Sequence, residues 1–295
     1  MDRGVPPDSS TPRTSGMAIS SLVLGISSFL CWIFTGLPAI ILGAIALRDI
    51  KRSGDELKGE GLAIAGIVTG SISMLIIIPA ILIALLLPAI HAAREAARRN
   101  MSMNNMKQMV LAMYNHSEQQ GTLPAAGSAD APGSQLSWRV HVLPYLEEQA
   151  LYEQFHLDEP WDSEHNRALI AQMPEIFQSP GKDLPAGETA YLAVTGPGTA
   201  FGDGTVGPTL ADFSDGTSNT IMLVEADPSQ SVEWTKPEDW EFDPNNPMAR
   251  VAASRPGGFL VAFADGSVQF IDENTDPQTI KAMMTRDGGE QVMRP

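Results

Sequence analysis

Two long uncharged stretches, residues 17–47 and 62–90, constrain this chain more than any other feature. Neither stretch contains Asp, Glu, Lys or Arg. A bilayer core of about 30 Å is crossed by about 20 apolar helical residues, and hydrocarbon favours helices because every backbone polar group must be paired internally. The sequence therefore predicts a membrane hairpin of two transmembrane helices, with a pair of buried core helices as the alternative.

The formal net charge of −16 is spread unevenly. Residues 1–99 carry nine basic and seven acidic side chains, whereas residues 100–295 carry ten basic and 28 acidic ones. Such an acidic segment is repelled by nucleic acid, which is excluded as a partner. Cys31 is the only cysteine, so neither an intrachain disulfide nor a cysteine metal site can form.

The predicted organisation is a disordered tail at 1–16, a two-helix transmembrane domain at 17–90 and an extracytoplasmic domain at 91–295. The short loop between the spans is basic, which places it in the cytoplasm and both the tail and the C-terminal domain outside. The basic residues that directly follow the second span argue for the opposite orientation. The opposing sets are Arg48, Lys51, Arg52 and Lys58 in the loop, and Arg94, Arg98 and Arg99 after the span.

The two spans also look duplicated. Residues 17–30 and 62–75 align at an offset of 45 with six identities: Ala18/Ala63, Ile19/Ile64, Val23/Val68, Gly25/Gly70, Ser28/Ser73 and Leu30/Leu75. Small residues at four-residue spacing, such as Gly66 and Gly70, let membrane helices approach closely. They indicate a packed hairpin or a dimer face, or else the ordinary scatter of small residues in such helices.

The second span is predicted to continue as a helix beyond the membrane. Residues 90–115 contain no Gly or Pro, and Glu95 stands four residues before Arg99, the favourable order for an ion pair. An apolar stripe at helical spacing then predicts packing against the rest of the domain, or alternatively a binding surface. The stripe is Met103, Met106, Met109, Val110 and Met113. We expect the helix to end near Gly121.

The C-terminal half predicts a sheet. A helix is expected to begin at Pro144, and short apolar runs broken by Gly, Pro and Asp follow. The predicted strands are 189–195, 220–226, 259–263 and 267–271, with a tight turn at 264–266. A long helix followed by a mainly antiparallel sheet is an α+β fold.

Several motifs carry a family resemblance. They are L-L-L-P-A-I-H-A-A-R-E-A-A-R-R at 85–99, S-W-R-V-H-V-L-P-Y-L-E-E-Q-A-L-Y at 137–152, P-W-D-S-E-H-N at 160–166, D-G-T-S-N-T-I at 215–221 and F-A-D-G-S-V-Q-F-I at 263–271. Together they resemble a large planctomycete family of pseudopilin-like proteins of unknown function, compared with the major pseudopilin of type II secretion and with type IV pilins. Residues 17–90 resemble a two-span membrane domain of unknown function.

The chain departs from that family where processing would occur. Members usually carry a prepilin signal, G-F-T-L-x-E, cut after the Gly by prepilin peptidase. Five residues after Gly61, where the Glu would stand, this chain has Gly66, and five after Gly16 it has Ser21. The resemblance therefore implies a subunit that is anchored rather than cleaved and assembled by the usual chemistry.

Three further departures concern single side chains. Ser102 and Ser179 stand where the family commonly has cysteines, and their joint loss fits two residues that were partners. Arg255 stands where the family has a histidine, so any site that used that histidine as a ligand or base is in doubt.

Motifs of catalysis are missing from the sequence. It has no nucleophile elbow, P-loop or G-x-G-x-x-G, and its five histidines lack metal-ligand spacing, so we expect a protein that is not an enzyme and has no cofactor. Calcium is the one candidate metal, because the resembled pseudopilin binds it in an acidic loop and because it favours carboxylate oxygens. Asp203, Asp212 and Asp215 are its candidate ligands.

The sequence thus predicts a two-pass protein of the inner membrane with a structural or interaction role. Its expected partners are membrane lipid and other envelope or pseudopilin-like proteins, with a homo-oligomer left open. The alternative is an extracytoplasmic glycan- or peptide-binding protein whose pocket is lined by Trp138, Trp161, Trp234 and Trp240. Residues 225–248 are interpreted as a solvated loop packed by its Trp rings.

Overall fold

The computed structural model describes residues 13–31, 33–53, 57–126, 135–251 and 254–289. Residues 1–12 of the predicted tail lie outside this set. The chain divides into an N-terminal unit, residues 1–93, and a C-terminal unit, residues 94–295. The predicted α+β class is confirmed, because a long helix is combined with an antiparallel-rich sheet.

The helices and strands follow in chain order. The helices are α1 (Gly16–Cys31), α2 (Ile33–Arg52), α3 (Glu60–Gln120), α4 (Trp138–His141), α5 (Gln149–Tyr152), α6 (Glu164–Leu169) and α7 (Pro277–Met284). The strands are β1 (Arg13–Thr14), β2 (Leu57–Lys58), β3 (Glu188–Thr189), β4 (Tyr191–Thr195), β5 (Ile221–Glu225), β6 (Val232–Glu233), β7 (Trp240–Glu241), β8 (Gly258–Phe263) and β9 (Val268–Asp272).

The first predicted span is two helices, not one. The uncharged stretch 17–47 contains α1 and most of α2, which run antiparallel to each other. By length and composition, one helix among the described residues, α3, could cross a membrane, and the first 13 residues of α1 form a shorter apolar helix, Gly16–Ser28. The N-terminal unit therefore does not clearly show the predicted hairpin of two transmembrane helices.

Helices α1, α2 and α3 pack through small residues in the N-terminal unit. Gly36 lies beside Ser28 and Gly43 beside Ser21, so α2 runs antiparallel to α1. Gly66 also lies against Ser21, and the hydroxyl of Ser28 donates to that of Ser73 at 2.7 Å, so α1 and α3 run parallel. Close approach of helices needs such small side chains, because a Cβ at Gly66 would overlap the backbone of Ser21.

The outer faces of this unit are aliphatic. Its buried side chains are mostly Ala and Ser, with Ala18, Ala63 and Ser21 completely inaccessible to solvent. Large apolar residues point outward instead, among them Ile19, Val23, Ile26, Leu37, Ile41, Ile45, Ile64, Val68 and Ile72. The part of α3 beyond the other two helices is also exposed, with Leu75 at 77% and Leu85 at 70%. This pattern is the reverse of a water-soluble core.

The C-terminal unit contains a five-stranded sheet in the order β7-β4-β5-β8-β9. Strands β4, β5, β8 and β9 pair antiparallel, whereas β7 pairs parallel with β4. β3 and β6 form a separate antiparallel pair. The predicted strands are thereby confirmed to within one or two residues, and the predicted turn at 264–266 joins β8 to β9 with Gly266 at φ +82°.

Helices cover both faces of this sheet. Met106, Met109, Val110 and Met113 of α3 are fully buried against one face, as the apolar stripe predicts. The opposite face packs on α7 through Ile280, Met283 and Met284. In β4 the side chains alternate between these cores, because successive strand residues point to opposite faces.

Two other local predictions have different outcomes. α3 ends at Gln120 with Gly121 in the left-handed region at φ +81°, as expected for a glycine C-cap. The helix expected to begin at Pro144 is instead broken into a 3₁₀ turn, residues 143–146, and α5. Glu147 lies between them at φ 65°, a conformation that interrupts a helix.

Candidate functional site

The three single-residue departures from the resembled family meet at one buried polar cluster. We call it the Glu225 cluster and define it by Glu95, Ser102, Ser179, Tyr191, Glu225 and Arg255. Glu225 ends β5, the central strand of the sheet, and its side chain is completely buried. A buried carboxylate requires a charged partner and hydrogen-bond donors to offset lost hydration.

Arg255 supplies the compensating charge. Its Nε donates to Glu225 Oε2 at 2.5 Å and its Nη2 donates to Oε1 at 2.8 Å, a two-point contact that matches the geometry of a carboxylate. Its Nη1 donates to Glu95 Oε1 of α3 at 3.0 Å, and its Nη2 also donates to the carbonyl of Pro180 at 3.3 Å. The guanidinium therefore joins the sheet, α3 and the chain before β3.

The ion pair predicted between Glu95 and Arg99 is replaced by these tertiary contacts. Glu95 pairs with Arg255, and the Arg99 guanidinium lies over the ring of Phe270, 4.2 Å from its centroid. A cation over an aromatic face is attracted by the ring quadrupole. Glu95 therefore binds Arg255, and Arg99 binds Phe270, instead of each other.

Ser102 and Ser179 flank the hydroxyl of Tyr191. Ser102 Oγ donates to Glu225 Oε1 at 2.7 Å and lies 2.6 Å from Tyr191 Oη. Burial and the nearby carboxylate of Glu225 raise the pKa of Tyr191, while hydrogen bonding from Ser102, Asn105 and Ser179 opposes that rise. The two positions where the family commonly has cysteines thus share one tyrosine neighbour.

A cleft of about 300 Å³ adjoins the cluster. Its walls include Ser179, Lys182, Glu188 and the backbone between them. Lys182 Nζ donates to the carbonyl of Ala226 and to Ser254 Oγ, the latter at 2.9 Å. The pKa of Lys182 is lowered to about 8, chiefly by burial, with Glu225 opposing the shift and Arg255 contributing to it. Its amine is therefore partly neutral near neutral pH.

A second buried ion pair explains the S-W-R segment. Arg139 Nη2 donates to Asp239 Oδ1 at 2.8 Å and to the carbonyl of Tyr191 at 2.6 Å. The same carboxylate oxygen accepts from the indole of Trp138 and from the amide of Ala193. Burial raises the pKa of Asp239 to about 6 in spite of the neighbouring guanidinium. The pair fixes α4 to β4.

The calcium candidates are only partly brought together. Asp203 and Asp212 line one cleft of about 550 Å³ together with Arg286, and Asp215 is not among its walls. Hydrogen bonds from Thr205 lower the pKa of Asp203, and hydrogen bonds from Thr209 lower that of Asp212. Asp215 accepts from the amide of Gly289 at 3.0 Å. Within the described ranges, no three acidic, His or Cys side chains converge as a metal site, and calcium binding stays a prediction.

The tryptophans do not line a common pocket. Trp138 and Trp234 are fully buried in the core beneath α3, whereas Trp240 is buried in the core beneath α7. Trp161 is half-buried at the edge of the first core. Their role in this structure is to fill space between the sheet and its helices.

Sequence reasoning missed the residues that organise the site. Glu225 belongs both to the predicted strand 220–226, which is confirmed, and to the predicted solvated loop 225–248, which is wrong because this stretch contributes the end of β5 together with β6 and β7. Asp239 lies in the same stretch and is also buried. The available signal was the position of Glu225 directly after the apolar run I-M-L-V. Such a run predicts a strand that is buried on both faces, and the last residue of that strand is then buried as well.

Comparisons with known families follow the division into two units. Residues 91–207 match the sequence profile of a protein family of unknown function, DUF1559. Residues 17–80 match that of a domain of unknown function, DUF4190. No curated protein matches the chain, and no solved structure does. The DUF1559 match covers Ser102, Ser179 and Tyr191, whereas Glu225 and Arg255 lie beyond it.

Proposed function

We propose that this chain is a membrane-anchored, pseudopilin-like protein of the cell envelope with a structural or interaction role and no enzymatic activity. The observation that carries the proposal is the reversed packing of the N-terminal unit, with Ala, Ser and Gly inside and large aliphatic side chains outside. Such a surface is stable in lipid and costly in water. Membrane lipid is therefore its first partner.

The pilin-like character rests on α3. This helix of 61 residues begins in an apolar segment and ends in a segment that packs on an antiparallel sheet. The acidic composition of the C-terminal unit suits an aqueous compartment and is compatible with the proposed position in the envelope. Other envelope proteins or a second copy of the chain are the proposed partners of that unit.

Cleavage by prepilin peptidase does not form part of this proposal. The Glu of the prepilin signal would fall at Gly66, where even a Cβ would overlap Ser21 of α1. The preceding Gly61 lies within the first turn of α3. Ser21 of α1 occupies the space beside Gly66 that the signal's Glu side chain would need.

Fractionation and proteolysis test the proposal. The full chain should remain in membranes washed with sodium carbonate, and protease added to intact spheroplasts should digest the C-terminal unit while a membrane-bound N-terminal fragment survives. Lysed spheroplasts serve as the control for protease activity. Release of the chain by carbonate, or digestion of the C-terminal unit only after lysis, contradicts the proposal.

A second candidate is an extracytoplasmic ligand-binding protein, and the cleft beside Lys182 is the observation that favours it. Its partly neutral amine and the carboxylate of Glu188 could bind polar groups of a glycan or peptide. Calorimetry of the detergent-solubilised full chain with glycan and peptide mixtures tests this candidate. Heat that is lost in Lys182→Met would support it, and no heat with any mixture would count against it.

A further inference from the structure

We infer that β1 lies on the same side of the membrane as β2, the strand before α3, and that α3 carries the chain to the opposite side. This inference rests on the proposed function, since it assumes a membrane anchor. It replaces the arrangement that two successive spans would give, in which the tail and the C-terminal unit share a side.

The direction of the duplicated helices carries the inference. Residues related by the 45-residue offset face each other across the α1–α3 interface. Ser28 is hydrogen-bonded to Ser73, and Ala18 is buried in one cluster with Ala63. At the same offset, Gly66 lies against Ser21. Their spacing along each helix, three and then seven residues, is that of a parallel coiled-coil seam. The repeats are thus a parallel pair.

A parallel pair of repeats requires a returning segment between them. Helix α2 supplies it, because it runs antiparallel to α1, with Gly36 beside Ser28 and Gly43 beside Ser21. The tip of this α1–α2 hairpin has the uncharged sequence F-L-C-W-I-F-T-G at 29–36. The α1–α2 hairpin therefore enters the membrane and returns to the same side before α3 begins.

Pairing of β1 with β2 holds the start of α1 and the start of α3 side by side. β1 pairs parallel with β2, with Arg13 opposite Leu57 and Thr14 opposite Lys58, and the amide of Ser15 donates to the carbonyl of Lys58 at 2.8 Å. The residues that follow the tail therefore lie directly beside the residues that precede α3. A tail on the far side of a bilayer could not form this pairing.

Charge distinguishes this end from the hairpin tip. Within the described part of the N-terminal unit, its cations gather here: Arg13, Arg48, Lys51, Arg52 and Lys58. Basic residues flanking membrane helices favour the cytoplasmic side, and this end carries five of them against Arg94, Arg98 and Arg99 beyond the far end of the span. From this end α3 runs without a break through residue 93, roughly 50 Å at 1.5 Å per residue, which exceeds a bilayer core of about 30 Å. The chain therefore reaches the other side of the membrane within α3.

Cysteine labelling of the full chain tests the inference. In a Cys31→Ser background, single cysteines are introduced as Ser10→Cys in the tail, Lys51→Cys at the basic end and Glu273→Cys on the exposed surface after β9. A membrane-impermeant maleimide is applied to intact and to detergent-opened spheroplasts. We expect S10C and K51C to lose labelling in intact spheroplasts and E273C to keep it.

The outcomes separate this inference from the proposed function. Labelling of S10C together with E273C, and apart from K51C, overturns the inference while leaving the membrane anchor intact. Labelling of S10C and K51C in intact spheroplasts with protection of E273C supports the shared side but overturns the extracytoplasmic orientation. Equal labelling of all three positions under both conditions overturns both.

Discussion

Arg255 contacts Glu225 through two nitrogens, at 2.5 and 2.8 Å, and reaches Glu95 of α3 with a third, at 3.0 Å. The side chain of Arg255 is 4% exposed and that of Glu225 is not exposed. One guanidinium therefore neutralises the carboxylate that ends the central strand and ties it to α3. The contact sits beside Ser102 and Ser179, the positions that lack the family's cysteines.

Removing this guanidinium should destabilise the protein strongly. Arg255→Ala leaves Glu225 buried and unpaired, and loss of one partner of a buried ion pair costs about 3–5 kcal/mol. Arg255→Lys should have an intermediate effect because an ammonium cannot make the two-point contact. The measurement is the thermal midpoint and the free energy of unfolding of the detergent-solubilised full chain.

Arg167→Ala is the matched control, since Arg167 is exposed. Its free energy of unfolding should change by less than about 0.5 kcal/mol. If Arg255→Ala proved as mild as this control, the Glu225 cluster would not be what joins α3 to the sheet.

Cysteines at both serine positions should form a disulfide. The Tyr191 hydroxyl lies 2.6 Å from Ser102 Oγ and 3.4 Å from the carbonyl oxygen of Gln178, the residue before Ser179. Asn105 on the next turn of α3 donates to the same carbonyl at 3.3 Å. Ser102→Cys with Ser179→Cys, in a Cys31→Ser background, should oxidise and gain about 2–4 kcal/mol of stability. Mobility on non-reducing gels and thiol titration measure the bond. Each single variant is the control, and free thiols in the oxidised double variant would refute the proximity.

Stability should fall with rising pH through the ionisation of Asp239. Its pKa of about 6 lies above its ordinary value, so the folded state binds this proton more tightly than the unfolded state does. The resulting stabilisation is complete below pH about 4, the unfolded pKa, and is lost as the pH rises through about 6. Asp239→Asn cannot titrate, so the stability of the native chain relative to this variant should drop by roughly 2–3 kcal/mol between pH 4 and 7.

Unfolding of both proteins from pH 4 to 8 in one detergent measures this difference. Groups other than Asp239 titrate in both chains and cancel from the comparison. Parallel stability curves for the two proteins would show that Asp239 ionises at its ordinary pH.

Two glycines of α3 should respond differently to the same substitution. Gly66→Ala places a methyl group against Ser21 of α1, and such overpacking costs about 1–3 kcal/mol. Gly61→Ala is the control, because nothing lies within 4 Å of its new Cβ and alanine favours a helix by up to about 1 kcal/mol. The thermal midpoint of the solubilised chain should fall for the first and hold or rise for the second. Equal midpoints would argue against the close α1–α3 contact.

The α+β plan was predictable because local patterns carry it. The absence of Gly and Pro from 90–115, the stripe from Met103 to Met113 and the glycine at 121 fix where α3 continues, which face it buries and where it ends. The strand runs are equally local, since apolar residues between turn residues specify β8 and β9 without reference to distant parts of the chain.

Local patterns could not predict contacts between side chains that are distant in the sequence. The sequence paired Glu95 with Arg99, four residues away, but the fold brings Arg255 within 3.0 Å of Glu95 across 160 residues. The sequence prediction likewise includes Glu225 in a solvated loop as well as in a strand, whereas the fold buries this side chain completely. Spacing along a helix identifies only neighbours on that helix. The partner of a buried charge depends on which distant residues the tertiary fold packs against it.

The sequence by itself determined that the N-terminal third is apolar, duplicated and rich in small residues. Composition and periodicity depend only on the order of residues along the chain. Only the tertiary structure decided that the duplicated segments run parallel, with α2 returning between them. The relative direction of two helices depends on which of their small residues come into contact. The hydropathy of a stretch does not reveal this direction, because it is the same for a parallel and an antiparallel pair.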